Sequence, residues 1–222
     1  QEIDEDKVAD LLARILSMDG VKMGTDKELL KKTVELESKL PVAFGPEETN
    51  KLIEQIEHKL RQVPKVSEID SMSDYQLIKT ALYVGLYVRS PFDDTSRKQA
   101  LSLLKAKLND PGQRAELDEM SDAELLKYAV SSNAELKLTL DKEYRDDLIG
   151  QIKYRINKLP NPEELKGKSD TELLGYAAIF DLDVSLPLND QQRQFQWHKL
   201  SLLQEMRSSH MPSYIPRRVK VN

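Results

Sequence analysis

Asp26, Asp74, Asp122 and Asp170 stand 48 residues apart, each behind a hydroxyl-bearing residue and ahead of an apolar pair. The stretches read Gly24-Thr-Asp-Lys-Glu-Leu-Leu-Lys, Met72-Ser-Asp-Tyr-Gln-Leu-Ile-Lys, Met120-Ser-Asp-Ala-Glu-Leu-Leu-Lys and Lys168-Ser-Asp-Thr-Glu-Leu-Leu-Gly. A fixed period without slippage is the signature of a repeat architecture. It divides the 222 residues into about four small units rather than one or two ordinary domains.

Each unit follows one plan. Thr25, Ser73, Ser121 and Ser169 are placed to cap a helix, with Glu28, Gln76, Glu124 and Glu172 three residues on completing a capping box. The first helix of the plan presents Leu29, Leu77, Leu125 and Leu173 at one apolar position and Leu30, Ile78, Leu126 and Leu174 at the next. An extended connection follows, in which Leu40, Val88, Leu136 and Val184 recur, and alternation there turns every second side chain inward. A second helix begins near Pro46, Asp94, Asp141 and Asn189. Its core positions are Ile53, Leu101, Ile149 and Trp197, then Ile56, Leu104, Ile152 and Leu200. Proline-containing linkers end the units, and Ile69, Leu117 and Leu165 recur in them as apolar docking residues.

The expected fold is therefore all-α, a tandem array of about four 48-residue helix–extended loop–helix units whose neighbours stack on one another. The expected boundaries are repeat 1 at 25–72, repeat 2 at 73–120, repeat 3 at 121–168 and repeat 4 at 169–206. Residues 1–24 form an N-terminal segment with an amphipathic helix in which Val8, Leu11, Leu12 and Ile15 share a face. Val8 and Leu12 are in register with Ile56 and Leu60, so the segment reads either as half of a repeat or as a cap helix. Residues 207–222 read as an irregular basic tail, in which Tyr214, Ile215, Arg217 and Arg218 are candidate partner-docking residues.

The formal net charge of −5 argues against a strong non-specific grip on nucleic acid, which needs clustered Lys and Arg. It leaves room for a local basic face. Arg97, Arg145 and Arg193 recur at the start of the second helices, and Lys107 and Arg155 recur near their ends. These are the candidate phosphate contacts. The simpler reading pairs them with neighbouring acids such as Asp93 or Asp94. No cysteine is present, so neither disulfides nor thiolate metal sites arise. No apolar run approaches the roughly 18 residues of a membrane span. The chain begins with Gln1, which suggests a fragment or processed product, and signals lying outside it would not be seen. An intracellular or virion-interior location is expected.

No constellation carries catalysis. His58, His198 and His210 lack metal-ligand spacing. Asp93–Asp94 and Asp146–Asp147 fall in or beside first helical turns, where acids serve the dipole. Asp181-Leu-Asp183 lacks the glycine and terminal glutamate of a calcium loop. Gly-rich phosphate loops and nucleophile elbows are missing. We expect no enzyme activity, no cofactor and no metal. Trp197 reads as core filler, and Tyr83, Tyr87, Tyr128, Tyr154 and Tyr176 as packing between units.

The run from Ser73-Asp-Tyr-Gln-Leu-Ile through Ser90-Pro-Phe-Asp-Asp-Thr-Ser-Arg-Lys to Leu103-Leu-Lys-Ala-Lys-Leu108 resembles a LEM domain. Phe44-Gly-Pro-Glu-Glu-Thr-Asn-Lys is similar to the Gly-Pro stretch before the second LEM helix. The same plan is similar to the SAP and Rho N-terminal motifs. Repeat 3 departs from it, with Leu140-Asp-Lys-Glu-Tyr-Arg in place of Gly-Pro, and four copies depart from the usual single one. Members of that group bind DNA or a small DNA-bridging protein, so the resemblance implies binding without catalysis. The leading expectation is a non-enzymatic tandem-repeat binding or scaffolding protein with a protein partner, such as an assembly component of a virus or phage particle. The alternative is a nucleic-acid-associated module.

Overall fold

The computed structural model of the protein describes residues 23–210. Among these residues there are nine α-helices and two 3-10 turns, and no strand. The helices are α1 (Asp26–Glu35), α2 (Pro46–Leu60), α3 (Asp74–Tyr83), α4 (Asp94–Ala106), α5 (Pro111–Glu119), α6 (Asp122–Ser131), α7 (Lys142–Lys158), α8 (Asp170–Ile179) and α9 (Asp190–His210). The 3-10 turns are Val66–Ser71 and Pro162–Gly167. The all-helical class is as expected. Helix α9 runs through His210, so residues 207–210 are helical rather than the start of an irregular tail.

Local chemistry explains where the short helices start. Thr25, Ser73, Ser121 and Ser169 each accept a hydrogen bond from the N–H three residues on. The Glu or Gln at that third position reaches back to the cap N–H, at 2.7 to 2.9 Å. Two first-turn donors are thereby satisfied at every start, worth about 1 kcal/mol per cap.

Their ends are equally regular, and the sequence reading missed this. Glu37, Gly85, Asn133 and Asp181 all adopt positive φ, at 52°, 72°, 47° and 55°. Around them the N–H of Ser38, Leu86, Ala134 and Leu182 bonds back to the carbonyl of Thr33, Ala81, Ala129 and Ala177. That is the left-handed reversal that satisfies the last carbonyls of a helix. The connections that follow run extended. Leu40, Val88, Leu136 and Val184 are buried in them, which matches the predicted inward alternation.

The described residues divide into two compact units. One holds Ile53–Gly167 with Ile179–Asp181. In it α3 packs on α7, α6 packs on α4, α5 packs on α4, and the turn Val66–Ser71 packs on α7. Leu77, Ile78, Leu125, Leu126, Leu104, Leu148 and Ile152 form its core, joined by the linker residues Ile69 and Leu117. Tyr83 closes its other side, donating its hydroxyl to the Lys59 carbonyl at 3.0 Å and stacking tilted on Phe180 at 5.9 Å. The other unit holds the described residues through Leu52, Lys168–Ala178 and those from Leu182 onward. There α1 packs on α9, with Leu29, Leu30, Trp197 and Leu200 buried. Helix α1 thus finds its partner at the far end of the chain, not in the next segment. This differs from an array in which each segment stacks on its sequence neighbour.

Candidate functional site

The recurrent acids and the recurrent arginines meet. Asp74, the first residue of α3, accepts from Arg145 on α7, and Asp122, the first residue of α6, accepts from Arg97 on α4. The exchange is reciprocal within one unit. Asp26 on α1 accepts from Arg193 on α9 in the other. Each carboxylate also takes a bond from the opposing extended connection. Asp74 accepts from Leu140 N at 2.8 Å, Asp26 from Leu186 N at 2.8 Å, and Asp122 from Ser90 Oγ at 2.8 Å. Arg145 goes on to the Met72 carbonyl at 2.6 Å and Arg97 to the Met120 carbonyl at 2.5 Å, both just ahead of a helix cap. Arg193 reaches the carbonyls of Leu186 and Leu188.

Asp170 breaks the series in an instructive way. It accepts from Phe44 N at 3.0 Å, so its backbone contact is kept. The position that supplies arginine to the other three acids holds Thr49.

The sequence placed Arg97, Arg145 and Arg193 on a basic edge, or on acids such as Asp93 and Asp94. Their side chains are 25%, 26% and 28% exposed and held by Asp122, Asp74 and Asp26. Asp93 is engaged elsewhere, capping α4 by accepting from Ser96 N at 2.7 Å. A phosphate at any of the three arginines would have to displace a hydrogen-bonded carboxylate. Lys107 is exposed and points at the Asn133 carbonyl at 3.5 Å. Arg155 is half-buried and makes no ion pair among the described residues. The candidate tail residues Tyr214, Ile215, Arg217 and Arg218 lie outside the described residues, as does the 1–18 helix.

The remaining candidates fall out simply. His58 is exposed and bonded to Gln62 at 2.8 Å. Among the described residues no three His, Asp or Glu side chains converge as metal ligands. No helix among them is long and apolar enough to cross a membrane. Trp197 is buried, as expected of core filler, with the Lys32 ammonium 5.6 Å from its ring centre. Tyr87 and Tyr154 are 84% and 67% exposed, so these two do not pack between helices as the sequence suggested. Tyr144, on α7, packs against the core and also makes polar contacts. Its hydroxyl accepts from Arg89 N at 2.8 Å, and the Arg89 guanidinium lies over its ring at 4.4 Å. Burial pushes the Tyr144 hydroxyl above its ordinary pKa, against the opposing pull of Arg89.

A cleft of about 670 Å³ runs beside α9, lined by Pro41, Gln191, Phe195, Gln196 and His198 among others. Gln196 and His198 are 3% and 4% exposed, and among the described residues the Gln196 Oε1 has no hydrogen-bond partner.

Compared with known proteins, the chain matches no family model, no curated protein and no solved structure.

Proposed function

We propose that this chain is a non-catalytic binding scaffold made of four related helix–extended loop–helix units, acting through a protein partner. The observation that carries the reading is the Arg–Asp exchange. Arg97, Arg145 and Arg193, which recur with the 48-residue period, are spent on the chain's own recurrent carboxylates. Their spacing then serves assembly of the fold, and these three arginines are not left to follow a nucleic-acid backbone. The nucleic-acid alternative retains Lys107 and Arg155, which stand outside these pairs.

Retention of short DNA and RNA duplexes at low and moderate salt tests the reading. Changing Lys107 and Arg155 together to Glu is the control, because neither side chain supports an Arg–Asp pair. The scaffold reading expects no retention even at low salt, and a defined protein complex recovered by the intact chain. Tight, salt-sensitive retention lost in the double variant would overturn it in favour of nucleic-acid binding.

A further inference from the structure

Two of the helix pairings join distant parts of the chain. In one unit α3 and the turn Val66–Ser71 pack on α7, and in the other α1 packs on α9. Both pairings cross from the first six helices to the last three. The polar bonds that fasten them cross as well. Arg145 on α7 meets Asp74, and Lys153 on α7 meets Asp70 at 2.6 Å. Arg193 on α9 meets Asp26, and Asp170 on α8 accepts from Phe44 N at 3.0 Å. Arg207 on α9 donates to the carbonyls of Glu35 and Leu36 at the end of α1. Within one sequence repeat, by contrast, neither α3 with α4 nor α6 with α7 is among the most closely packed helix pairs. Each of these short helices takes its long helix from a different repeat. Only residues 132–141 connect α1–α6 to α7–α9 through the backbone, and the chain has no cysteine to add a disulfide. Ten extended residues reach about 33–36 Å. No contact in this set requires the two sides to belong to one molecule.

We propose that a second copy of this chain is the protein partner: its α7–α9 replace those of the first copy on α1–α6, and the exchange is reciprocal. This rests on the scaffold reading and names the partner for it. The product is an isologous dimer, in which the same patches meet on both copies. Every Arg–Asp pair named above recurs in it, so the exchange costs no side-chain contact between the two sides. The change falls on residues 132–141, which open to pass from one copy to the other. In the single chain the two sides meet at an effective concentration on the order of 1 mM, the range of a short flexible link. Exchange therefore sets in where copies are crowded to that level.

The two register-matched lysine–aspartate pairs supply the test and its control. Asp70–Lys153 spans the exchange. Lys105–Asp118, 48 residues away at each member and also 2.6 Å long, lies wholly on one side, between α4 and α5. Full-length Asp70→Cys and Lys153→Cys are mixed, unfolded, refolded together at about 1 mM or at high dilution, and treated with a short bismaleimide. Lys105→Cys mixed with Asp118→Cys is treated alike. The proposal expects covalent dimers from the first mixture after concentrated refolding, their loss after dilute refolding, and none from the second mixture. An absence of dimers from the first mixture, or equal yields from both, would overturn it. Light scattering of the unsubstituted chain, refolded in the same two ways, should show a dimer from the concentrated sample with unchanged helix content. A monomer in both samples would equally sink the exchange. Either failure removes the second copy as partner and leaves the scaffold reading to be judged by duplex retention.

Discussion

Arg193 donates through Nε and Nη2 to both carboxylate oxygens of Asp26, at 2.7 and 3.0 Å, and so ties α9 to α1 across 167 residues. The Arg193 guanidinium holds the Asp26 carboxyl below its ordinary value, with burial opposing and the Leu186 N–H adding to the effect. The sign of the consequence follows from linkage. A carboxyl depressed in the folded chain stabilises it at pH above the unfolded value of 3.8 and loses that contribution as pH falls through the folded value. Asp26→Asn removes the titration. Urea denaturation from neutral pH into acid should show the variant least stable relative to the parent at neutral pH. The gap should narrow below about pH 4. Parallel curves would mean that the pair contributes nothing to folding.

Asp170 invites the converse experiment. It keeps the backbone bond from Phe44, and Thr49 holds the register position that supplies arginine to Asp26, Asp74 and Asp122. Thr49→Arg should supply the missing pair and raise stability by about 0.5–1 kcal/mol, the scale of a well-oriented, partly exposed ion pair. A double-mutant cycle with Asp170→Asn separates a true pair from a helix-propensity effect. The gain should vanish in the Asn background.

The helix ends give a third prediction. Glu37 holds φ at 52°, where a Cβ is crowded by its own backbone and glycine is at ease. Glu37→Gly should stabilise the chain by about 0.5–1 kcal/mol by relieving this strain, net of the added freedom of the unfolded chain. Gly85 is the mirror case. A Cβ there would lie 2.6 Å from the Ile179 carbonyl oxygen, on backbone that cannot swing aside. Gly85→Ala should destabilise by at least about 1–2 kcal/mol. Thermal melts of the two variants should therefore move in opposite directions.

These positions also show what one sequence makes legible. The helix starts could be read because a capping box is local: Ser121 and Glu124 are three residues apart and need nothing else. The helix ends could not, because Gly85, Asn133 and Asp181 tolerate a left-handed turn but are common elsewhere, while Glu37 adopts it against its preference. The arginine partners were out of reach for a different reason. Arg97 lies one helical turn from Asp93, a spacing that ordinarily pairs them. Asp93 is instead committed to its cap, and Asp122 sits 25 residues away on another helix. Which acid an arginine meets is decided by how the helices cross, and the period of the sequence is silent about that. The burial of His198 and Leu202 on α9 was hidden similarly, since they occupy positions that are exposed in the other units.

Gln196 supplies the last prediction. In register it matches Leu52, Ala100 and Leu148, all buried, and it is itself 3% exposed. Among the described residues its Oε1 has no hydrogen-bond partner, so that oxygen has given up water without a replacement there. An unsatisfied buried acceptor costs about 1–3 kcal/mol, whereas an apolar side chain of similar size has nothing to satisfy. Gln196→Leu should therefore stabilise the protein by about 1–2 kcal/mol, read as a higher denaturation midpoint at unchanged m-value. Gln196→Ala discriminates between the explanations. It removes the orphaned amide but leaves a void, so it should fall below Gln196→Leu by the cost of the lost packing. Loss of stability in Gln196→Leu itself would show that the amide is satisfied in solution, by an ordered water in the cleft beside α9.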